Sequence, residues 1–237
     1  MGGEQPKFVA TLRLANGPVL PVVVKFSPPR GTLIADRWAD LLALEAIALS
    51  LCQIVDGPTR RFLVSPRFDR VSATGRRGVL SLGALDDEYF GRRATPWSAA
   101  AGRLMAARML SSADAEVMRL ADAFGILIAN TDRHYGNLSL YRPTNPGDCF
   151  QLAPLYDMTS MAYAPQGGEL RDGTVVLPDI LPGLNTSEYG RVTRLASVFW
   201  DRCAHSPLVS SAFQAIAARH AKELRDRLGP EDGAPPG

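Results

Sequence analysis

Residues 128–140 read I-A-N-T-D-R-H-Y-G-N-L-S-L, and residues 150–158 read F-Q-L-A-P-L-Y-D-M. Upstream, A-F-G-I-L-I-A-N (123–130) is an apolar run suited to a buried helix that ends at a polar loop. Downstream, N-L-S-L-Y and F-Q-L-A-P-L-Y read as short strands joined by the turn-forming R-P-T-N-P-G-D (142–148). A helix, a polar loop and a hairpin bring Asp132 and Asp157 to the same end of a small sheet. Two carboxylates placed there repel unless a cation lies between them. The side chains of Asp132, Asn137 and Asp157 are also what phosphoryl transfer requires: a carboxylate near the accepting hydroxyl, an amide oxygen on Mg²⁺, and a second carboxylate linking metal to phosphates.

A lone D-x-x-x-x-N is common by chance, so its weight comes from context. The spacing matches a protein-kinase catalytic loop, in which the Asp is the base, the Asn binds metal, and a later Asp binds metal against the phosphates. Lys25 ends an apolar strand as V-V-K, close to the kinase V-A-I-K whose ammonium pairs with phosphate oxygens and with a helix Glu. An inward lysine needs a counter-charge, and Glu45 is the candidate. The plainer alternative is a Lys25 that marks the strand end and faces water.

Around these residues the chain resembles the C-terminal kinase region of the HipA toxins, a family of serine/threonine kinases. The resemblance is carried by G-G-E-Q-P-K (2–7), V-V-V-K-F (22–26), P-R-F-D-R (66–70), N-T-D-R-H-Y-G-N (130–137) and L-A-P-L-Y-D (152–157), in that order. It implies an α+β, two-lobed protein-kinase-like fold: a β-rich N-lobe over 1–68 and a mainly helical C-lobe over 69–228; the tail over 229–237, G-P-E-D-G-A-P-P-G, has nothing to bury and reads as disordered. It implies ATP and Mg²⁺ as cofactors, Asp132 and Lys25 as catalytic groups, and Asn137 and Asp157 as metal ligands. By position in P-R-F-D-R, the Pro66 carbonyl and the Phe68 N–H serve adenine and Asp69 reaches ribose; the plainer alternative is an edge strand and turn with Asp69 paired to Arg67 or Arg70. Gly2, Gly3 and Lys7 correspond to the end of a phosphate-covering loop. That loop resembles S-x-x-G-x-Q-x-K in the family, whereas here the chain opens M-G-G-E-Q-P-K without the Ser, and the stretch between Glu45 and P-R-F-D-R is shorter. The first departure implies an N-terminally truncated form, and both imply a weakened hold on ATP.

The biological expectation from the resemblance is growth arrest through phosphorylation of a translation factor such as an aminoacyl-tRNA synthetase, with a DNA-binding antitoxin as partner. The alternative is a pseudokinase or decoy that binds nucleotide or target without turnover. Metal-dependent hydrolysis fits the carboxylates but leaves Lys25 and P-R-F-D-R unexplained. His134, two positions after Asp132, is expected to organise the loop by hydrogen bonding, with Asn130 and Thr131 shaping the turn.

Composition bounds these readings. The 237 residues are enough for one two-lobed unit, and a hydrophobic content of 46% is that of an ordinary globular chain. With Lys+Arg 26 against Asp+Glu 24, a net charge of +2 gives no reason to expect nucleic acid or an anionic membrane as main partner. Arg60–Arg61 and Arg76–Arg77 read as solvated loop residues. Cys52, Cys149 and Cys203 lie far apart without metal-ligand spacing, which suits a reducing cytoplasm. No run approaches the ~18 apolar residues of a membrane span.

Elsewhere, residues 8–14 and 19–26 form a predicted hairpin around Asn16–Gly17. Residues 36–52 form a helix capped by Asp36 that buries Trp38, Leu41, Leu42, Ile47 and Leu51. Residues 61–68 return to strand character, and Pro66 suggests where the strand ends as the chain passes between lobes. Helices follow over 97–130, with Leu104, Met105, Met109 and Leu110 on one face and Leu120, Phe124, Leu127 and Ile128 on the next, and then over about 190–203 and 208–228. The Gly- and Pro-rich 163–185 reads as loop.

Overall fold

The structure, a computed structural model, describes residues 5–13, 17, 19–71, 75–92, 95–145, 147–170, 175–179, 181 and 183–228. Gly2, Gly3, Asn16 and the tail 229–237 lie outside the described residues.

Two β-branched runs open the chain as β1 (Lys7–Arg13) and β2 (Val19–Phe26), paired antiparallel with Lys7 opposite Lys25. The first helix, α1 (Leu33–Ala48), is followed by β3 (Gln53–Asp56) and β4 (Arg61–Pro66). The four strands make one antiparallel sheet in the order β1-β2-β4-β3. Because side chains alternate across a strand, the register puts Val9, Val23, Lys25, Leu63 and Ser65 on one face. Phe8, Phe26 and Phe62 lie on the other, with ring centroids 6.0 and 6.2 Å apart along the row.

Helix α1 begins earlier than its hydrophobic periodicity predicts. Thr32, in extended backbone, accepts the Ala35 N–H and is the N-cap, so Asp36 lies inside the first turn rather than capping it. The helix stops at Ala48, leaving Leu51 beyond it and exposed instead of buried. Leu41 and Leu42 are fully buried, and Trp38 and Ile47 partly so. Strand β4 ends at Pro66, where the proline is expected to stop it. Arg61 departs furthest from expectation. It is a buried strand residue bonded to Asp56, not a solvated one.

After a two-residue ladder, β5 (Arg70–Val71) with β6 (Gly75–Arg76), the chain enters the helical lobe. Strand β7 (Val79–Ser81) joins β8 (Ser139–Tyr141) and β9 (Gln151–Leu152) in the order β7-β8-β9. The sequence reading contained the β8–β9 hairpin but neither β7 nor α2 (Leu82–Tyr89), whose N-cap is Ser81. The predicted 97–130 helical stretch is two helices, α3 (Trp97–Ala106) and α4 (Ser112–Leu127), the second capped by Ser111. Met105 is exposed and Met109 only partly buried, while Leu104, Leu110, Leu127 and Ile128 form core. Helices α5 (Thr186–His205) and α6 (Ser211–Leu228) close the lobe. Asn185 and Glu188 form a reciprocal capping box at the start of α5.

One buried cluster runs through the helical lobe around Trp97, Trp200, Tyr163 and Phe213, and it extends into α1 through Leu41, Ala43 and Leu44. The fold is two-lobed, with a β-sheet lobe and a helical lobe, and α1 packs between them. No described helix is long and apolar enough to cross a membrane.

Candidate active site

Lys25 leaves β2 on the sheet face that α1 and the start of the 153–160 segment approach. Its ammonium donates to both oxygens of Glu45, at 2.6 and 2.8 Å, and also to Asp157 Oδ1. The water-facing alternative for Lys25 does not hold, since the residue is 9% exposed. Burial by itself pushes the Lys25 pKa down. The attraction of Glu45 and Asp157, with their hydrogen bonds, outweighs burial and leaves the pKa above its ordinary value. The charge therefore persists inside the molecule. Thr159 adds a fourth group, donating its hydroxyl to Glu45 Oε2 at 2.8 Å.

The second half of the site hangs from the end of α4. Ala129 takes a left-handed backbone (φ 58°) and turns the chain out of the helix into the 130–134 loop. Asn130, 1% exposed, spans the two acidic positions: its Oδ1 accepts the Asp132 N–H at 2.9 Å, and its Nδ2 donates to the Asp157 carbonyl at 3.1 Å. Asp157 itself adopts φ 54°, a conformation that Asp and Asn tolerate better than most side chains.

Asn137 donates Nδ2 to the Asp132 carbonyl at 2.9 Å and, more weakly, to Asp132 Oδ2 at 3.4 Å. This orientation leaves the Asn137 Oδ1 without a hydrogen bond among the described residues. Asn137 Oδ1 and the Asp157 carboxylate are hard oxygen donors of the kind that bind Mg²⁺ together with substrate phosphates, so the donor set fits that ion. The Asp132 carboxylate is half exposed. His134 Nδ1 accepts the Gly136 N–H at 3.0 Å and caps the turn Tyr135–Asn137. Its Nε2 lies 3.8 Å from Asp132 Oδ1, too far for a hydrogen bond.

The loop is held from below. Arg133 donates to Asp122 (3.2 Å) and to the Asn130 carbonyl, and Trp97 Nε1 donates to the His134 carbonyl (3.3 Å). Arg103 and Thr95 both bond the Tyr135 hydroxyl.

A cavity of about 710 Å³ opens between the sheet and the helical lobe. Lys7, Lys25, Glu45, Pro66, Phe68, Asp69 and Asp157 all line it, whereas Asp132 and Asn137 do not. Its apolar walls include Val9, Val23, Leu49 and Leu155, with Cys52 and Ser65 side by side at 3.1 Å. Asp69 is gripped by Arg67 at 2.6 and 2.8 Å, and these bonds hold its pKa below the usual carboxylate range. The Phe68 carbonyl is taken by the Tyr141 hydroxyl at 3.2 Å.

Sequence reasoning missed Thr159 and Tyr156. The Tyr156 hydroxyl donates to the Gly136 carbonyl (2.7 Å) and accepts from Ser139 (2.7 Å), while its ring lies 5.6 Å from that of Phe68. It thus ties the cavity floor to the turn that carries Asn137. The Y-D pair was visible in the sequence, but nothing local shows that Tyr156 bonds back across the hairpin.

HipA of Shewanella oneidensis, solved with HipB and operator DNA, superposes with a TM-score of 0.53 at 17% identity, covering 96% of this chain and 63% of that one. The Helicobacter pylori proinflammatory kinase CtkA gives a TM-score of 0.53 at 14% identity, covering 92% and 90%. Both likenesses establish the fold. Toxin YjjJ of Escherichia coli K12 is 35% identical over 238 residues, covering 94% of this chain, and the chain spans about half the length of that relative (52%). The model of the HipA-like C-terminal domain matches residues 1–227, and the chain belongs to that family.

Proposed function

We propose that the chain is an ATP- and Mg²⁺-dependent serine/threonine protein kinase of the HipA toxin type, with nucleotide bound by residues 1–68 and the hydroxyl-activating loop carried by 69–228. The observation that carries this reading is the buried Lys25–Glu45–Asp157 cluster at the wall of the 710 Å³ cavity, joined through Asn130 to the Asp132 loop. Lys25 supplies positive charge for phosphate oxygens, and Glu45 and Thr159 hold it in place. Asn137 and Asp157 would hold Mg²⁺, which neutralises charge on the transferred phosphate. Asp132 accepts the proton of the substrate hydroxyl or orients it. The Pro66–Asp69 segment and Phe68 take the adenosine end.

Support for the toxin context comes from the relative named a toxin and from the HipA solved with HipB and operator DNA. A translation enzyme such as an aminoacyl-tRNA synthetase as substrate, a DNA-binding antitoxin as partner and a cytoplasmic setting are parts of the same proposal. One observation favours a second reading, nucleotide or target binding without turnover: Lys25 already engages one of the Asp157 oxygens that a metal would need.

Incubation with Mg²⁺, γ-labelled ATP and cell extract separates the two readings. The kinase transfers label to protein, and Asp132→Asn lowers the rate at least ~100-fold, as loss of a general base does. Nucleotide-dependent thermal stabilisation with no labelled protein supports the binding-only reading.

A further inference from the structure

Helix α1 carries Glu45 toward Lys25, yet most of its polar anchors reach the opposite lobe. Asp40, 4% exposed, accepts the Ser210 N–H at 2.7 Å on Oδ1 and the Ser210 hydroxyl at 2.6 Å on Oδ2. Ser210 is the residue before α6, and its Oγ in turn accepts the Phe213 N–H at 3.3 Å. One turn earlier on α1, Arg37 donates to the Tyr163 carbonyl (3.3 Å), with its guanidinium 4.8 Å from the Phe213 ring centroid. From the sheet, Arg61 donates to the Ala39 carbonyl (3.3 Å) and to the Leu208 carbonyl in the α5–α6 turn. The apolar face of α1, through Leu41, Ala43 and Leu44, belongs to the same buried cluster as Trp200 and Phe213.

In protein kinases the equivalent lysine–glutamate pair must be assembled, and positioning of the glutamate helix controls that assembly. Asp40 and Glu45 are five residues apart, about 140° around the helix and ~7.5 Å along it. A helix fixed at two such points can neither roll nor slide without breaking one of them. We infer that Asp40 and Ser210 are positioning residues: the α5–α6 turn braces α1 so that Glu45 stays on Lys25 before any nucleotide or modification arrives. The inference rests on the reading of Lys25 and Glu45 as the phosphate-anchoring pair.

The test follows the chemical accessibility of Lys25, which does not depend on turnover. The full chain is treated with a limiting amine-acylating ester, and labelling of the Lys25 peptide is timed by mass spectrometry. In Glu45→Gln the buried ammonium loses one of its two carboxylate partners and labels faster than in the wild type. Asp40→Asn is expected to label Lys25 several-fold faster than the wild type, approaching the Glu45→Gln rate. Ser210→Ala keeps the backbone bond and gives a smaller rise, and Ser210→Thr restores the slow rate. In the Glu45→Gln background neither change adds anything, because the two act through the same contact.

An unchanged Lys25 rate in folded Asp40→Asn and Ser210→Ala overturns the brace, as does a full additional increase in the Glu45→Gln background. If Asp40→Asn does not fold, the Ser210 pair decides. Absence of phosphotransfer by the wild type overturns the kinase reading alone, since the labelling pattern is scored without ATP.

Discussion

Burying an ammonium or a carboxylate alone costs several kcal/mol, and breaking a buried pair leaves the surviving charge stranded. Glu45 is 1% exposed and its oxygens are shared by Lys25 and Thr159. Lys25→Met is therefore expected to lower unfolding free energy by about 3–5 kcal/mol, read from urea titration, and to abolish any nucleotide-dependent thermal shift. A change below ~1 kcal/mol would show that Glu45 finds other partners. Lys25 was legible as a candidate because V-V-K ends an apolar strand. Glu45 was legible as a candidate partner for it, but the sequence does not say which face of α1 meets the sheet. Asp69 could be placed on the P-R-F-D-R segment, but its grip by Arg67 competes with a ribose contact and follows from the local turn.

At the scale of elements, the Asp132 loop depends on how closely it packs against α4. A Cβ added at Gly125 would overlap Arg133 Cδ, and the Arg133 guanidinium is tethered to Asp122 and to the Asn130 carbonyl. Gly125→Ala must displace that side chain and strain the loop between Asn130 and Asp132. Phosphotransfer is expected to fall at least tenfold while the melting temperature drops by only a few degrees; a loss of stability without loss of specific activity would place the strain elsewhere. Periodicity revealed α1, α5 and α6 within about four residues, and showed helix over 97–130 without the break that separates α3 from α4. It did not reveal β7 and α2, because three residues of strand and eight of helix carry too little pattern to stand out. Nor did it separate Asp36 from Thr32 as the cap of α1, since both residue types cap helices and only the turn geometry selects between them.

At the scale of the whole molecule, α6 reports pH to the core. His220 is fully buried beside the Tyr163 hydroxyl and 4.8 Å from the Trp200 ring, with Glu223 at 3.3 Å and the positive charges of Arg219 and Arg227 nearby. Burial holds its pKa below the ordinary value of about 6.5, the arginines add to the effect, and Glu223 opposes it. The unfolded chain takes up this proton first as pH falls, so the stability contribution present above about pH 6.5 is lost below it. The melting temperature should drop between pH 7 and 5.5, and His220→Gln should flatten that slope while lowering its plateau; parallel slopes would assign the acid sensitivity to other groups. The shared burial of Leu41, Ala43 and Leu44 with Trp97, Trp200 and Phe213 has a practical result for anyone dissecting the protein. A gene cut between the sheet and the helices would strand an oily helix face on one fragment and an open hollow on the other. Neither half would stay in solution by itself, and melting should proceed in a single step, because what divides the chain by shape does not divide it by folding.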